Sequence, residues 1–89
     1  MSWSLLVAVR IHPHAGARMR QRGATEAEVT ATVEQGEQFP VKFARTGFRR
    51  NCRFDREWRG RQYHTKQIEA YAVQEGTDWL VITGITRYF

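Results

Sequence analysis

Residues 13–36, PHAGARMRQRGATEAEVTATVEQG, decide the fold because the ends of two short helices can be read from them. Pro13 suits the first turn of a helix, where its missing N–H leaves no hydrogen bond unmade. Gly23 suits the left-handed conformation that ends many helices. We therefore predict a first helix over Pro13–Arg22, preceded by a short apolar strand over Leu5–Ile11.

The second helix has the clearest start signal in the chain. Thr25 and Glu28 have the spacing of a capping box, in which each side chain bonds the backbone amide of the other residue. We predict that this helix covers Glu26–Gln35 and ends at Gly36.

After the second helix the apolar pattern changes to a period of two, which is typical of strands. Turns are predicted at Thr46–Gly47, at Gly60 and over Glu75–Asp78. The runs between them are predicted strands, of which the last two cover Arg61–Gln74 and Trp79–Tyr88.

These elements predict an α+β fold. An N-terminal strand and two short helices are expected to pack on one face of a four-stranded antiparallel meander. A chain of 89 residues has room for one domain, which would cover the whole of residues 1–89.

Composition excludes several classes of protein and favours one kind of partner. A single cysteine, Cys52, rules out a framework of internal disulfides, and no run approaches the roughly 20 apolar residues of a membrane span. The first residues lack the pattern of a signal peptide, so we expect a cytoplasmic protein without membrane contact.

The net charge is +5, and 12 of the 14 basic residues are Arg. This charge favours nucleic acid as a partner, although a solvated basic surface would have the same composition.

The first predicted helix carries a cationic stripe. His14, Arg18 and Arg22 are spaced at i, i+4 and i+8, beside Ala15 and Met19, which are expected to face the core. The stripe could hold phosphates. Alternatively, its two arginines could pair with carboxylates of the second helix and orient the two helices.

The pattern HAxxRMxxRG over residues 14–23, followed by TEAEV over residues 25–29, resembles the N-terminal signature of a small bacterial and phage family of unknown function. That family is grouped with the RelE/ParE-like toxins, whose wider group includes barnase-like and colicin-type ribonucleases. The resemblance covers Pro13–Gly36 and extends more loosely to Leu80–Tyr88. It implies a strand, two helices and a meander, with RNA or ribosome-bound mRNA as the target and an acidic antitoxin as a partner.

Metal-free RNA cleavage needs a base for the 2′-hydroxyl, an acid for the leaving 5′-oxygen and cations for the phosphorane charge. The candidate catalytic residues are His14, Arg18, His64 and Lys66. His14 would act as base or acid, while Arg18, Arg22 and Lys66 would stabilise the phosphate. Strand parity is expected to place His64 and Lys66 on one face of their strand.

Further basic and aromatic side chains are candidates for nucleic-acid binding, because Arg and aromatic residues on a sheet can hold phosphates and stack bases. Together with Arg22, they are Arg49, Arg53, Arg61, Arg87 and Tyr88. The last two are implied by the resemblance, since RelE-type nucleases use basic and Tyr residues on their central and last strands. No cofactor is expected, and no metal site is expected because neither a carboxylate nor a cysteine completes the pair of His12 and His14.

Three functions remain open at this point. The first is a toxin-type, metal-independent ribonuclease that resembles mRNA interferases. The second is a non-catalytic module that binds nucleic acid or protein through the same basic face. The third is a toxin that binds a protein target, as the gyrase-directed relatives of the resembled group do.

Overall fold

The computed structural model describes residues 8–89 as two helices and five strands. In chain order, the elements are β1 (Val9–Ile11), α1 (Pro13–Gln21), α2 (Glu26–Gln35), β2 (Glu37–Val41), β3 (Arg45–Trp58), β4 (Arg61–Glu75) and β5 (Asp78–Tyr88). The strands form one sheet in the order β1-β5-β4-β3-β2. β1 runs parallel to β5, and the other neighbouring strands are antiparallel.

The predicted fold class, an α+β domain with helices on a four-stranded antiparallel meander, is wrong. Over residues 8–89 the sheet has five strands and is mixed, and strands account for 59% of these residues. The fifth strand is β1, which lies within the predicted N-terminal strand but belongs to the sheet itself, because it pairs with β5 through Val9↔Trp79 and Ile11↔Val81. Local alternation predicts that a segment is extended, but it does not identify a partner strand that lies far away in the sequence. The part of the predicted first strand before residue 8 lies outside the described residues.

The ends of the helices follow from local chemistry. α2 has the predicted bounds and the predicted capping box. Thr25 Oγ1 accepts from the Glu28 amide at 3.1 Å, and Glu28 Oε1 accepts from the Thr25 amide at 2.9 Å. α1 begins at Pro13 as predicted and ends at Gln21, one residue before the predicted end. Gly23 follows with a φ of 89°, the left-handed conformation that favours glycine.

One of the predicted turns is wrong. Thr46 and Gly47 lie inside β3, and the chain reverses instead over residues 42–44, where Phe43 has a φ of 63°. Gly47 is needed for close packing, because a Cβ there would overlap the ring of Phe39 on β2. Glycine in a strand can mark such a close approach as well as a turn, and the sequence does not distinguish the two cases.

The other two predicted turns are confirmed. Arg59 and Gly60 connect β3 to β4 with φ values of 51° and 87°, as in a type I′ hairpin turn. Gly76, with a φ of 66°, lies in the turn between β4 and β5.

The core lies between the two helices and one face of the sheet. Its members are Met19, Ala24, Val29, Val33, Phe48, Ile68, Ala70, Ala72 and Val81. Successive residues of a strand point to opposite faces, so Ile68 and Ala70 in the core place Gln67 and Glu69 on the other face. This second face is called the helix-free face below, and its centre carries Arg49, Gln67, Glu69, Tyr71 and Arg87.

Candidate functional site

Both long strands are irregular at the end of the sheet that lies next to Phe89. In β3, the register with β4 shifts between Arg53 and Arg56. In β4, the amides of His64 and Thr65 both donate to the Phe89 carbonyl, at 2.7 and 3.1 Å. Two successive amides on one carbonyl mark a β-bulge, which breaks the alternation of side chains and changes where they point.

Asp55 is the centre of a small charged cluster at this irregular end. Its φ of 46° is a left-handed conformation, which Asp tolerates better than most residues. Asp55 Oδ1 lies 3.1 Å from His64 Nδ1, and Asp55 Oδ2 lies 3.1 Å from Arg53 Nε. These three side chains line an open cavity of about 410 Å³, together with Asn51, Cys52 and Thr65.

The contact between Asp55 and His64 favours one orientation of the imidazole. A carboxylate can only accept hydrogen bonds, so the tautomer of a neutral ring that fits this contact has its hydrogen on Nδ1 and its lone pair on Nε2. The His64 side chain is 85% exposed, which leaves Nε2 accessible to a substrate hydroxyl. Arg53 is 89% exposed and retains free guanidinium N–H groups for a phosphate. The cavity therefore brings together an imidazole that can accept a proton and a guanidinium that can bind an anion.

Lys66 does not join this cavity. Its Nζ donates to the Gly23 carbonyl and to the Glu28 carboxylate, each at 2.9 Å, and the residue is only 4% exposed. The ammonium thus links β4 to the connection between the two helices, through a hydrogen bond to Gly23 and a buried ion pair with Glu28. The expectation that Lys66 and His64 act together on one face is wrong, because the bulge at His64 separates their side chains into different surroundings.

The same ion pair affects the protonation of Glu28. Burial raises the pKa of its carboxyl, but the amide of Thr25 and the ammonium of Lys66 outweigh burial. The net pKa of Glu28 is therefore lowered from its ordinary value, and the carboxylate remains charged beside the lysine.

The predicted stripe on α1 is exposed and separate from the cavity. His14, Arg18 and Arg22 are all exposed, as predicted for the outer face of the helix. The ring of His14 stacks on His12, with 5.4 Å between the ring centroids. Within the part of the chain that the structure describes, no side chain of the stripe forms a hydrogen bond or an ion pair with His64.

The alternative structural role of the stripe is filled by a different arginine. Arg20 Nη1 lies 3.4 Å from Glu26 Oε2 and thereby joins α1 to α2. Among residues 8–89, Arg18 and Arg22 form no ion pair with a carboxylate.

Tyr88 is occupied by contacts within the protein. Its hydroxyl donates to the Arg22 carbonyl at 2.7 Å, and its ring stacks on Trp58 with 5.0 Å between centroids. Burial raises the pKa of Tyr88, and the nearby charge of Glu28 raises it further. Arg61 is exposed and pairs with Trp58 across the β3–β4 hairpin. Tyr88 thus supports the helix connection, whereas Arg61 is accessible to a ligand.

Arg49 and Arg87 meet at a buried carboxylate on the helix-free face. Glu69 Oε2 accepts from Arg49 Nε at 2.8 Å and from Arg87 Nη1 at 2.9 Å. Glu69 Oε1 accepts from the Tyr71 hydroxyl at 2.6 Å. Burial raises the pKa of Glu69, but these hydrogen bonds and the two positive charges outweigh it, so the net pKa is lowered. The contact with Glu69 also raises the pKa of Tyr71 and of Arg49.

Sequence reasoning missed the two carboxylates that organise these clusters. Asp55 stands between Arg53 and Arg56 in the sequence, and Glu69 is a lone acidic residue in an otherwise apolar part of β4. A single carboxylate in a basic or apolar strand is costly unless it is paired. That cost is the signal that could have drawn attention to both residues.

Comparison of the chain with protein-family models, with curated proteins and with solved structures gives no match. The resemblance to the RelE/ParE-like group therefore stays a prediction. In residues 8–89, no three His, Cys, Asp or Glu side chains are grouped so that they could hold a metal ion. No helix in that same range is both long and apolar enough to span a membrane.

Proposed function

We propose that this chain is a metal-independent endoribonuclease that cleaves mRNA in the cytoplasm, with His64 as its general base. The observation that carries the proposal is the hydrogen-bonded pair of Asp55 and His64, beside Arg53, in one open cavity. The net charge of +5 supports a polyanionic substrate, because cationic proteins gain affinity when they neutralise phosphates.

The reaction uses the 2′-hydroxyl of the RNA as its nucleophile. His64 Nε2 takes the hydroxyl proton, the 2′-oxygen bonds to phosphorus, and the bond from phosphorus to the 5′-oxygen breaks. The leaving oxygen takes a proton from water, and the imidazolium gives its proton to the resulting hydroxide. The products are a 2′,3′-cyclic phosphate and a 5′-hydroxyl.

Two further side chains support this step. Arg53 stabilises the phosphorane charge with the N–H groups that Asp55 leaves free. Asp55 holds the imidazole in orientation and stabilises its charged form once the proton has been taken. A toxin role is consistent with this site, because an acidic antitoxin segment would pair with Arg53 and cover the cavity.

The test is cleavage of a single-stranded RNA oligonucleotide by the purified protein, with the product ends mapped. The wild type should leave 2′,3′-cyclic phosphates, and His64→Ala should reduce the rate by about 100-fold or more, because the general base is lost. Asp55→Asn should reduce the rate by a smaller factor. Gln62→Ala, an exposed change on the same strand, is the matched control and should keep the wild-type rate.

Two outcomes would contradict this assignment. Cleavage that survives His64→Ala but is lost in His14→Ala would move the base to α1. RNA binding by the wild type without any cleavage would refute the nuclease and leave the second candidate, a non-catalytic RNA-binding module. The paired arginines on the helix-free face favour that module, since they need no catalytic group to bind RNA.

A further inference from the structure

Two arginines from different strands converge on the helix-free face. Arg49 lies on β3 and Arg87 on β5, and Glu69 lies between them on the central strand β4. Both guanidiniums donate to the same oxygen, Glu69 Oε2, at 2.8 and 2.9 Å. A shared acceptor holds the two groups close enough for one phosphate to contact both of them.

Glu69 is well placed to fix these groups rather than to neutralise them. Its side chain is 5% exposed, whereas those of Arg49 and Arg87 are 37% and 46% exposed. Its second oxygen is occupied by the Tyr71 hydroxyl at 2.6 Å. The carboxylate therefore lies beneath the guanidiniums, whose remaining N–H groups reach solvent. Glu69 offsets one of the two positive charges, and the only other carboxylate beside Arg49 among the described ion pairs is the exposed Glu37 at 3.5 Å, which solvent screens. The guanidinium N–H groups that face solvent can therefore still bind an anion.

We propose that Arg49 and Arg87, positioned by Glu69, form a phosphate-binding site for single-stranded RNA. This inference rests on the proposed function and adds the path of the substrate. Arg49 and Arg53 lie four residues apart on β3, which corresponds to about 13 Å along a strand. The phosphate site at Arg49 and the cavity at Arg53 are therefore neighbours along the same strand. An extended RNA strand would run along β3, across the helix-free face, from the cavity to Arg49 and Arg87.

Neighbouring amides favour RNA over an acidic peptide as the occupant. Gln67 Nε2 donates to Asn51 Oδ1 at 2.9 Å, and Gln67 Oε1 accepts from Arg87 at 3.4 Å. This row crosses three strands between the cavity and the phosphate site. Amide groups provide donors and acceptors for base edges, which an acidic peptide lacks.

The experiment measures binding of a 2′-O-methylated RNA oligonucleotide by fluorescence anisotropy, because that probe cannot be cleaved through its 2′-oxygen. Arg87→Gln should weaken binding by about tenfold and lower the slope of log affinity against log salt by about one. The double variant Arg49→Lys/Arg87→Lys keeps the charge but loses the planar fork, and it should also bind more weakly than the wild type.

Glu69→Gln distinguishes a positioned site from general electrostatics. It makes the face more positive, so nonspecific attraction would strengthen RNA binding, whereas loss of positioning should weaken it several-fold. Glu37→Gln is the matched control, because Glu37 is an exposed carboxylate 3.5 Å from the same Arg49. That variant removes an equal charge and should bind RNA at least as tightly as the wild type.

The outcomes separate this inference from the proposed function. Weaker binding in the arginine variants, with no cleavage by the wild type, would support the site and refute the nuclease. Unchanged RNA binding in the folded lysine double variant, with normal cleavage, would overturn the site and keep the nuclease. A polyglutamate peptide that binds the wild type but not these variants, while RNA binding is unchanged, would reassign the site to an acidic protein partner.

Discussion

At the scale of single residues, Lys66 illustrates how a functional candidate becomes a structural residue. Sequence parity places it beside a histidine, but its ammonium is buried against Gly23 and Glu28. Burying an amine is costly unless every donor has a partner, and here the carbonyl and the carboxylate supply partners. The side chain is therefore committed to the fold.

Lys66→Met should lower the free energy of unfolding by about 2–4 kcal/mol, because it leaves the Glu28 carboxylate and a backbone carbonyl without their donor. Urea denaturation measures this loss. Lys42→Met, at an exposed turn position, is the control and should change stability by less than about 0.5 kcal/mol. If Glu28→Gln is added to Lys66→Met, part of the loss should be recovered. If Lys66→Met alone had the same free energy of unfolding as the wild type, the structural role of the ion pair would be contradicted.

The residues of the site were only partly predictable. The sequence predicts Arg53 and His64 as site residues, because Arg and His have the chemistry of phosphate binding and proton transfer. Asp55, which orients that histidine, could not be placed, because the contact depends on irregularities in both β3 and β4. A shift of one residue reverses the face of every later side chain, so strand parity fails beyond a bulge.

At the scale of elements, the connection between α1 and α2 is fixed by Gly23. Its φ of 89° favours glycine, and a Cβ there would meet both the Tyr88 hydroxyl and the Trp58 ring. Gly60 has a nearly equal φ of 87° but has open space around it. A comparison of alanine substitutions at the two glycines therefore distinguishes the cost of backbone strain from the cost of displacing packed side chains.

Gly60→Ala should cost about 1 kcal/mol, because it carries only the penalty of the left-handed conformation. Gly23→Ala should cost about 2–4 kcal/mol, since displacement of the aromatic side chains is added to that penalty. Thermal unfolding gives both values, and near-ultraviolet circular dichroism reports the aromatic environment. Equal losses in the two variants would show that the packing of Tyr88 against this connection is unimportant.

Helix ends were predictable because their causes are local. The capping box of α2 lies within four residues of sequence, and the structure contains both of its hydrogen bonds. The turn predicted at Thr46–Gly47 failed because the reason for Gly47 is a ring from another strand. Long-range packing of this kind has no signature in the residues on either side.

At the scale of the whole molecule, acid should destabilise the protein in a predictable range. Glu28 and Glu69 both have a lowered pKa in the folded state, although burial opposes the shift. The unfolded chain then binds protons more readily than the folded one, so protonation favours unfolding. Their contribution is complete above the ordinary value of 4.5 and is lost as the pH falls through the folded-state values.

The free energy of unfolding measured between pH 7 and pH 3 checks this expectation. Glu69→Gln should be less stable than the wild type at neutral pH and should lose less stability on acidification. Glu34→Gln, an exposed change on α2, should follow the wild-type curve. A wild-type stability that stays constant down to pH 3 would contradict the linkage.

The architecture as a whole was the least predictable level. Most strand segments could be anticipated from alternation, but the mixed character of the sheet depends on one short strand, β1, and its distant partner. Three residues contain too little pattern to specify a parallel pairing. The helices and hairpins depend on residues that are close in sequence, whereas the pairing of β1 with β5 joins residues about 70 positions apart.

The pairing of β1 with β5 determines when the sheet can be completed during synthesis. β1 leaves the ribosome early, but Val9 has no partner until Trp79 has been synthesised. The Phe89 carbonyl, which forms the bulge beside His64, is added ten residues later. A nascent chain therefore carries both helices and most of its basic residues without a finished cavity. A nuclease site built on His64 would therefore be complete only after Phe89 has been added to the chain.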